Sequence, residues 1–228
     1  MKRTLIFCLL LAAGGLLFAG DIANFVNLGF SDDSRYLMFA QYGALDDSSK
    51  HYADIYGVDV NANTFVPNGV ITVVYDEALM PGQDGIGALF TLYSVSISLA
   101  KQYKVNHMTT GRLLYLLIDG QEPKERLEFR DFDTRRSYQI ELLQTQFGDE
   151  KSVSASFHIN LTITDSNGNN SHYTVGLPSY RRDGVKKYRI QQIIYSPDEK
   201  SLVFIIEKEE SAKNGINIRY MVETVSIN

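Results

Sequence analysis

The most chemically loaded stretch of this 228-residue chain is Tyr180-Arg181-Arg182-Asp183-Gly184-Val185-Lys186-Lys187-Tyr188-Arg189, in which five cations stand among two tyrosines. Asp-Gly is a turn signal, so the segment reads as a hairpin turning at Asp183-Gly184, with cations on both arms beside tyrosine rings. Such a surface suits an anionic glycan, a lipid headgroup or an acidic envelope protein, through a local positive field and through cations resting on ring faces. Tyr180, Arg181, Arg182, Lys186, Lys187 and Arg189 are therefore the candidate binding residues. The plainer reading is a solvated hairpin whose charges keep a sheet edge from aggregating.

No other cluster offers a mechanism. The four histidines, His51, His107, His158 and His172, form no H-E-x-x-H or H-x-H pairing, so no metal site is expected. A G-x-S-x-G elbow for acyl transfer is absent. Paired carboxylates for hydrolysis are recognised by their separation in space and leave no mark in a sequence. Gly82-Gln83-Asp84-Gly85-Ile86-Gly87 precedes a helical pattern but lacks the G-K-[ST] ending of a phosphate loop. Asp165-Ser166-Asn167-Gly168-Asn169 has oxygens at alternate positions, as calcium loops do. Its glycine comes too early and Gly176 stands where the twelfth-position glutamate belongs, so a hairpin turn is the better account. No cofactor is expected.

The elements that would carry the basic segment follow a short export signal. Lys2 and Arg3 precede an apolar run from Leu5 to Phe18, then the small Ala19 and Gly20 and the acidic Asp21. That is the layout of a secretory leader over residues 1–20, with cleavage expected near Gly20. A membrane anchor competes, but the run is shorter than the about 20 residues a spanning helix needs and is broken by Gly14-Gly15. The sole cysteine, Cys8, lies inside the run, away from any position for lipid attachment, and would leave with the leader. The remainder then has no disulfide, thiol nucleophile or thiolate ligand. Losing Lys2 and Arg3 moves the net charge from −5 to −7, which argues against nucleic acid as a partner. A periplasmic or secreted location follows, with no transmembrane segment after cleavage.

From residue 21 to 228 the chain reads as one β-rich domain. Twelve segments show period-two alternation of β-branched and aromatic residues, between turn signals such as Asp32-Asp33-Ser34, Asn167-Gly168 and Pro197-Asp198. One insertion departs from this. Over about 84–104, Ile86, Leu89, Phe90, Tyr93, Ile97 and Ala100 recur at helical spacing, opposite Thr91, Ser94, Ser98, Lys101 and Gln102. Asp84 and Gly85 stand at the N-cap. A strand over Ser94–Leu99 is the rival reading.

The two ends of the chain share a phrase. Aligning Phe30 with Tyr195 pairs Ser31 with Ser196, Asp33 with Asp198, Arg35 with Lys200, Leu37 with Leu202 and Phe39 with Phe204. Each copy predicts a strand, a tight turn centred on aspartate and a second strand; a third strand follows each. The pattern F/Y-S-(P/D)-D-x-(R/K)-x-L-x-F resembles the repeat of periplasmic β-propellers related to the Tol-system translocation protein, which implies blade-like antiparallel meanders. A closed propeller would set the first and last units side by side; a β-sandwich is the alternative. The chain also resembles a group of predicted secreted proteins of unknown function from spirochaete bacteria, through GDIANFVNLGFSDDSRYLMF, GQDGIGALFTLY and GRLLYLL. That resemblance implies secretion and brings no known activity.

The sequence thus leads to an exported, mainly β protein of the cell envelope, expected to bind or scaffold rather than catalyse. A periplasmic hydrolase whose carboxylates meet only in the fold is the alternative. A hollow with two converging acids would mark the hydrolase, and an exposed apolar patch would mark the binder.

Overall fold

The computed structural model describes residues 20–45, 48–80, 82–149, 152–213 and 215–227. Except for Gly20, the expected leader, with Cys8, lies outside the described residues. Among the described residues, three antiparallel sheets and one helix make up the fold.

The first sheet is a meander of β1 (Asn24–Ser31), β2 (Tyr36–Ala44), β3 (Lys50–Asp59) and β4 (Thr64–Ala78), with the two-residue β5 (Val105–Asn106) added beside β1. The second is a meander of β7 (Arg126–Arg130), β8 (Ser137–Phe147), β9 (Ser154–Thr164) and β10 (Asn170–Val175), with β11 (Arg182–Asp183) also on β9. The third runs β14 (Gly215–Ser226), β13 (Ser201–Ala212), β12 (Val185–Tyr195) and β6 (Arg112–Leu116). The helix α1 spans Ile86–Gln102 between β4 and β5. None of the sheets closes into a barrel.

The third sheet is the middle layer of a stack. Along β13, Leu202, Phe204 and Ile206 share a core with Ile140, Phe157 and Leu161 of the second sheet. The intervening Val203 and Ile205 share another with Phe30, Leu37 and Phe39 of the first. Burial on both faces explains why this strand reads as an unbroken apolar run rather than an alternation. At about 1.5–3 kcal/mol for each fully buried large aliphatic or aromatic side chain, that row is a principal anchor of the stack. β2 is buried likewise, with Leu37 and Phe39 facing the middle sheet and Met38, Ala40 and Tyr42 facing the helix. β9, at the far end of the stack, alternates: Ala155, Phe157, Ile159, Leu161 and Ile163 point inward, while Asn160 is exposed and His158 and Thr162 are half-buried.

The matching end phrases have matching geometry. Asp33 accepts from Ser31 Oγ at 2.6 Å and from the Arg35 amide at 3.2 Å, and Asp198 accepts from Ser196 Oγ at 2.7 Å and from the Lys200 amide at 3.2 Å. Ser34 and Glu199 take the same left-handed conformation, at φ 60° and 55°. The two turns also touch, the Asp198 amide donating to Ser34 Oγ at 3.1 Å. The first and last units are therefore neighbours.

The helix has the expected extent but a different buried face. Ala88, Leu89, Leu92, Ser96, Leu99 and Ala100 pack on the first sheet, and the expected core residues Ile86, Phe90 and Ile97 are exposed, Phe90 by 65%. No charged residue falls between Ile86 and Ala100, so two apolar stripes compete, and contact with the sheet selects one. Gly85 is the N-cap, at φ 82° and without a side-chain cap bond, while Asp84 accepts from the Ile86 amide at 3.0 Å.

Candidate functional site

The basic segment is not a hairpin. Arg182 and Asp183 pair with Ala155 and Ser154 of β9, whereas Val185 onward pairs with β13, so the chain passes from the second sheet to the third at Gly184. Gly184 has φ 77°, its amide donates to the Val153 carbonyl at 2.8 Å, and its own carbonyl accepts from Ser211 at 2.7 Å. The left-handed glycine that closes a hairpin serves here as a corner between layers.

This corner scatters the six candidates. Arg182 is drawn inward to Glu223 at 3.2 Å, with its guanidinium 4.8 Å from the Tyr180 ring centre and 5.4 Å from that of Phe157. Arg189 bonds Glu207 at 3.0 Å and also pairs with Glu209. Tyr188 is buried, its ring tilted against that of Phe157, and donates to the Ala155 carbonyl at 3.1 Å. Arg181 covers the Phe147 ring at 3.7 Å. Lys187 is exposed and Lys186 is half-buried. Only Tyr180 and Arg182 of the six line a common cleft.

That cleft has a volume of about 410 Å³ and draws on all three sheets. The first sheet supplies Phe39, Tyr56, Asn63 and Phe65; the segment after β10 supplies Leu177 and Tyr180; the middle sheet supplies Lys208 and the stretch Tyr220–Glu223 of β14. Its aromatic wall, Phe39, Tyr56 and Phe65, belongs to a cross-strand ladder. Phe25, Phe39, Tyr56 and Phe65 stack in succession with ring centres 5.8, 4.6 and 5.7 Å apart, spacings at which offset rings attract. A bulge brings the last ring into place. The register jumps from Tyr56–Val70 to Val58–Phe65, and the looped-out Pro67-Asn68-Gly69 lets Val66 turn into the helix-side core and Phe65 outward. Phe65, Leu177 and Tyr180 are 54%, 59% and 55% exposed.

The polar groups of the cleft hold one another. Glu223 takes Arg182 on one oxygen and Asn63 Nδ2 on the other at 2.6 Å, and Asn63 Oδ1 accepts from the Thr224 amide at 2.8 Å. Glu223 is the only carboxylate among the lining residues, and both its oxygens are engaged. Burial pushes the Tyr220 hydroxyl up to about 12, with Glu207 and Asp119 adding to the effect, so it stays a neutral donor at physiological pH. Tyr56 is raised for the same first reason, and Asp54 contributes.

The other candidates from sequence are structural. Asp165 accepts from the amides of Asn167 and Asn169 at 2.8 Å and from Asn169 Nδ2 at 2.9 Å, closing the hairpin between β9 and β10. His107 joins Tyr93 to the Leu28 carbonyl, and His172 meets Thr162 at 3.0 Å. Among the described residues no three His, Cys, Asp or Glu side chains gather around a point that could hold a metal, and no helix is long and apolar enough to cross a membrane.

Sequence reasoning missed Phe39, Tyr56, Phe65, Leu177, Lys208 and Tyr220 as one group. The Pro-Asn-Gly bulge was the one local signal, since it interrupts the alternation before Val70. No curated protein matches the chain. A family described as predicted secreted protein (DUF2259) matches residues 38–226, from the second strand to the last. With nearly the whole fold inside that match, the chain belongs to this family of predicted secreted proteins.

Proposed function

We propose that the chain is an exported protein of the cell envelope that binds a partner, with the aromatic cleft beside β14 as its contact surface. In this reading residues 1–20 are a leader cut near Gly20, and residues 21–228 act as one unit in the periplasm or outside the cell. The observation that carries it is the rim of Phe65, Leu177 and Tyr180, three large side chains from β4 and the segment after β10 left more than half exposed around one hollow. Clustered apolar exposure of this kind marks a contact surface. The single, fully engaged carboxylate of the cleft supports binding over hydrolysis, which needs a second acid or base.

The basic segment has a narrower part than its composition implied. Tyr180 and Arg182 shape the cleft; Arg181, Lys186 and Lys187, close to them in the chain, guide an anionic partner by charge; Arg189 braces the middle sheet. Envelope extracts passed over the immobilised chain should yield a partner lost with Phe65→Ala plus Tyr180→Ala. The same partner should persist, with stronger salt dependence of its on-rate lost, when Arg181, Lys186 and Lys187 are changed to alanine. Identical partner sets for the wild type and the cleft variant would overturn the reading.

A further inference from the structure

The floor of the cleft is an open sheet edge. Along β14 every second residue turns its amide and carbonyl away from β13. Ile218 is occupied by residues 21–23 of the chain itself: its amide donates to the Asp21 carbonyl at 2.8 Å, and its carbonyl accepts from the Ala23 amide at 3.1 Å, around a parallel bridge of Ile22 with Ile218. The Tyr220 amide donates to Gln41 Oε1 and the Thr224 amide to Asn63 Oδ1, each at 2.8 Å. Val222 lies between them, lines the cleft, and has no partner among the described residues for either its outward amide or its outward carbonyl.

We propose that an extended segment of a partner protein docks as an added strand at Val222, continuing the edge that residues 21–23 already occupy. This rests on the cleft being the binding surface and specifies its ligand class. Three observations favour a peptide over a sugar or a lipid. An amide and a carbonyl offered by one residue are the bonding pair of a β-ladder. The same edge already accepts a peptide segment at Ile218. Apolar walls stand on both sides of the edge, Tyr56 and Phe65 on one and Leu177 and Tyr180 on the other, and a strand presents its side chains alternately to two such walls. Edges left open are ordinarily blunted; here Gln41 and Asn63 cover the neighbouring amides and leave one gap.

The test uses a phage-displayed library of random linear heptapeptides, selected on the chain without its leader. Val222→Pro deletes the outward amide without removing a bond to β13, a substitution an edge strand tolerates; Val222→Ala controls for the side chain, and thermal unfolding checks both. Enriched peptides should bind wild type and Val222→Ala alike and bind Val222→Pro about tenfold more weakly. N-methylation of such a peptide should abolish binding at the one amide that donates to the Val222 carbonyl and be tolerated at the amides on either side. Uniform tolerance to N-methylation, or equal binding to Val222→Pro with loss only in Phe65→Ala plus Tyr180→Ala, would overturn strand addition and leave the cleft standing. Binding of an N-acetylglucosamine oligomer in place of any peptide, sensitive to the same cleft variant, would overturn it in favour of a glycan. Absence of both kinds of ligand would overturn the strand and the cleft together.

Discussion

Arg112 ties together three elements that lie far apart in sequence. From β6 it bonds Asp131 in the β7–β8 turn through two nitrogens, at 3.0 and 2.9 Å, and Glu199 in the β12–β13 turn at 3.0 Å, with its guanidinium 5.0 Å from the Tyr195 ring centre. The Arg112 bonds, helped by Thr134 and the Asp133 amide and opposed by burial, hold the Asp131 carboxyl at about 2, against 3.8 when unperturbed. A carboxylate whose pKa falls on folding stabilises the fold above its unfolded value and loses that contribution as pH falls through the folded one. Asp131→Asn should therefore cost about 2 kcal/mol at neutral pH and flatten the stability profile between pH 4 and 2. Denaturant unfolding of both proteins at pH 7 and at intervals down to pH 2 measures this, and parallel profiles would show that Asp131 is not the group responsible.

The paired aspartate turns belong to the scale of the element. Asp33→Ala or Asp198→Ala should each cost about 1 kcal/mol, the worth of a local carboxylate-to-amide cap. Because the Asp198 amide reaches Ser34 Oγ, the double variant should depart from additivity by about 0.5 kcal/mol or more. A double-mutant cycle read by thermal unfolding decides it. At this scale much of the fold was legible. Each of the twelve alternating segments is a strand, and the turn phrase at both ends predicted the hairpins β1–β2 and β12–β13. Three things were not. The exposed helix face, with Phe90, is as apolar as the buried one, with Leu92 and Leu99, so periodicity alone could not choose between them. Asp183-Gly184 carries a hairpin signature, yet whether the strands beyond a turn rejoin one sheet or part into two is decided by distant partners, here Ser154 and Glu210. The cleft gathers residues from Phe39 to Glu223, and no spacing in the chain records that meeting.

Across the whole molecule, the beginning of the described chain is held by its end. Asp21, 3% exposed at its side chain, pairs with Arg219 on β14 and accepts from the Tyr52 hydroxyl at 3.2 Å, while Arg219 rests 4.6 Å from the Tyr52 ring centre. Removing one partner of a buried pair strands the other charge, so Asp21→Ala should lower stability by about 3 kcal/mol. Asp21→Ala with Arg219→Met should recover much of that loss; an unchanged midpoint for the single variant in denaturant would refute the clasp.

The placement of β12, β13 and β14 between the other two sheets has a temporal consequence. A ribosome delivers the filling of this sandwich last, after both slices. Until residues 185–226 emerge, the inward rows of β2 and β9 have nothing to cover them, and a nascent chain in that condition needs a chaperone or an unfolded route of transport. Chains stopped before Val185 should accumulate in aggregates however sound their local hairpins are, whereas a chain that has passed Ser226 can zip shut from its newest strands outward.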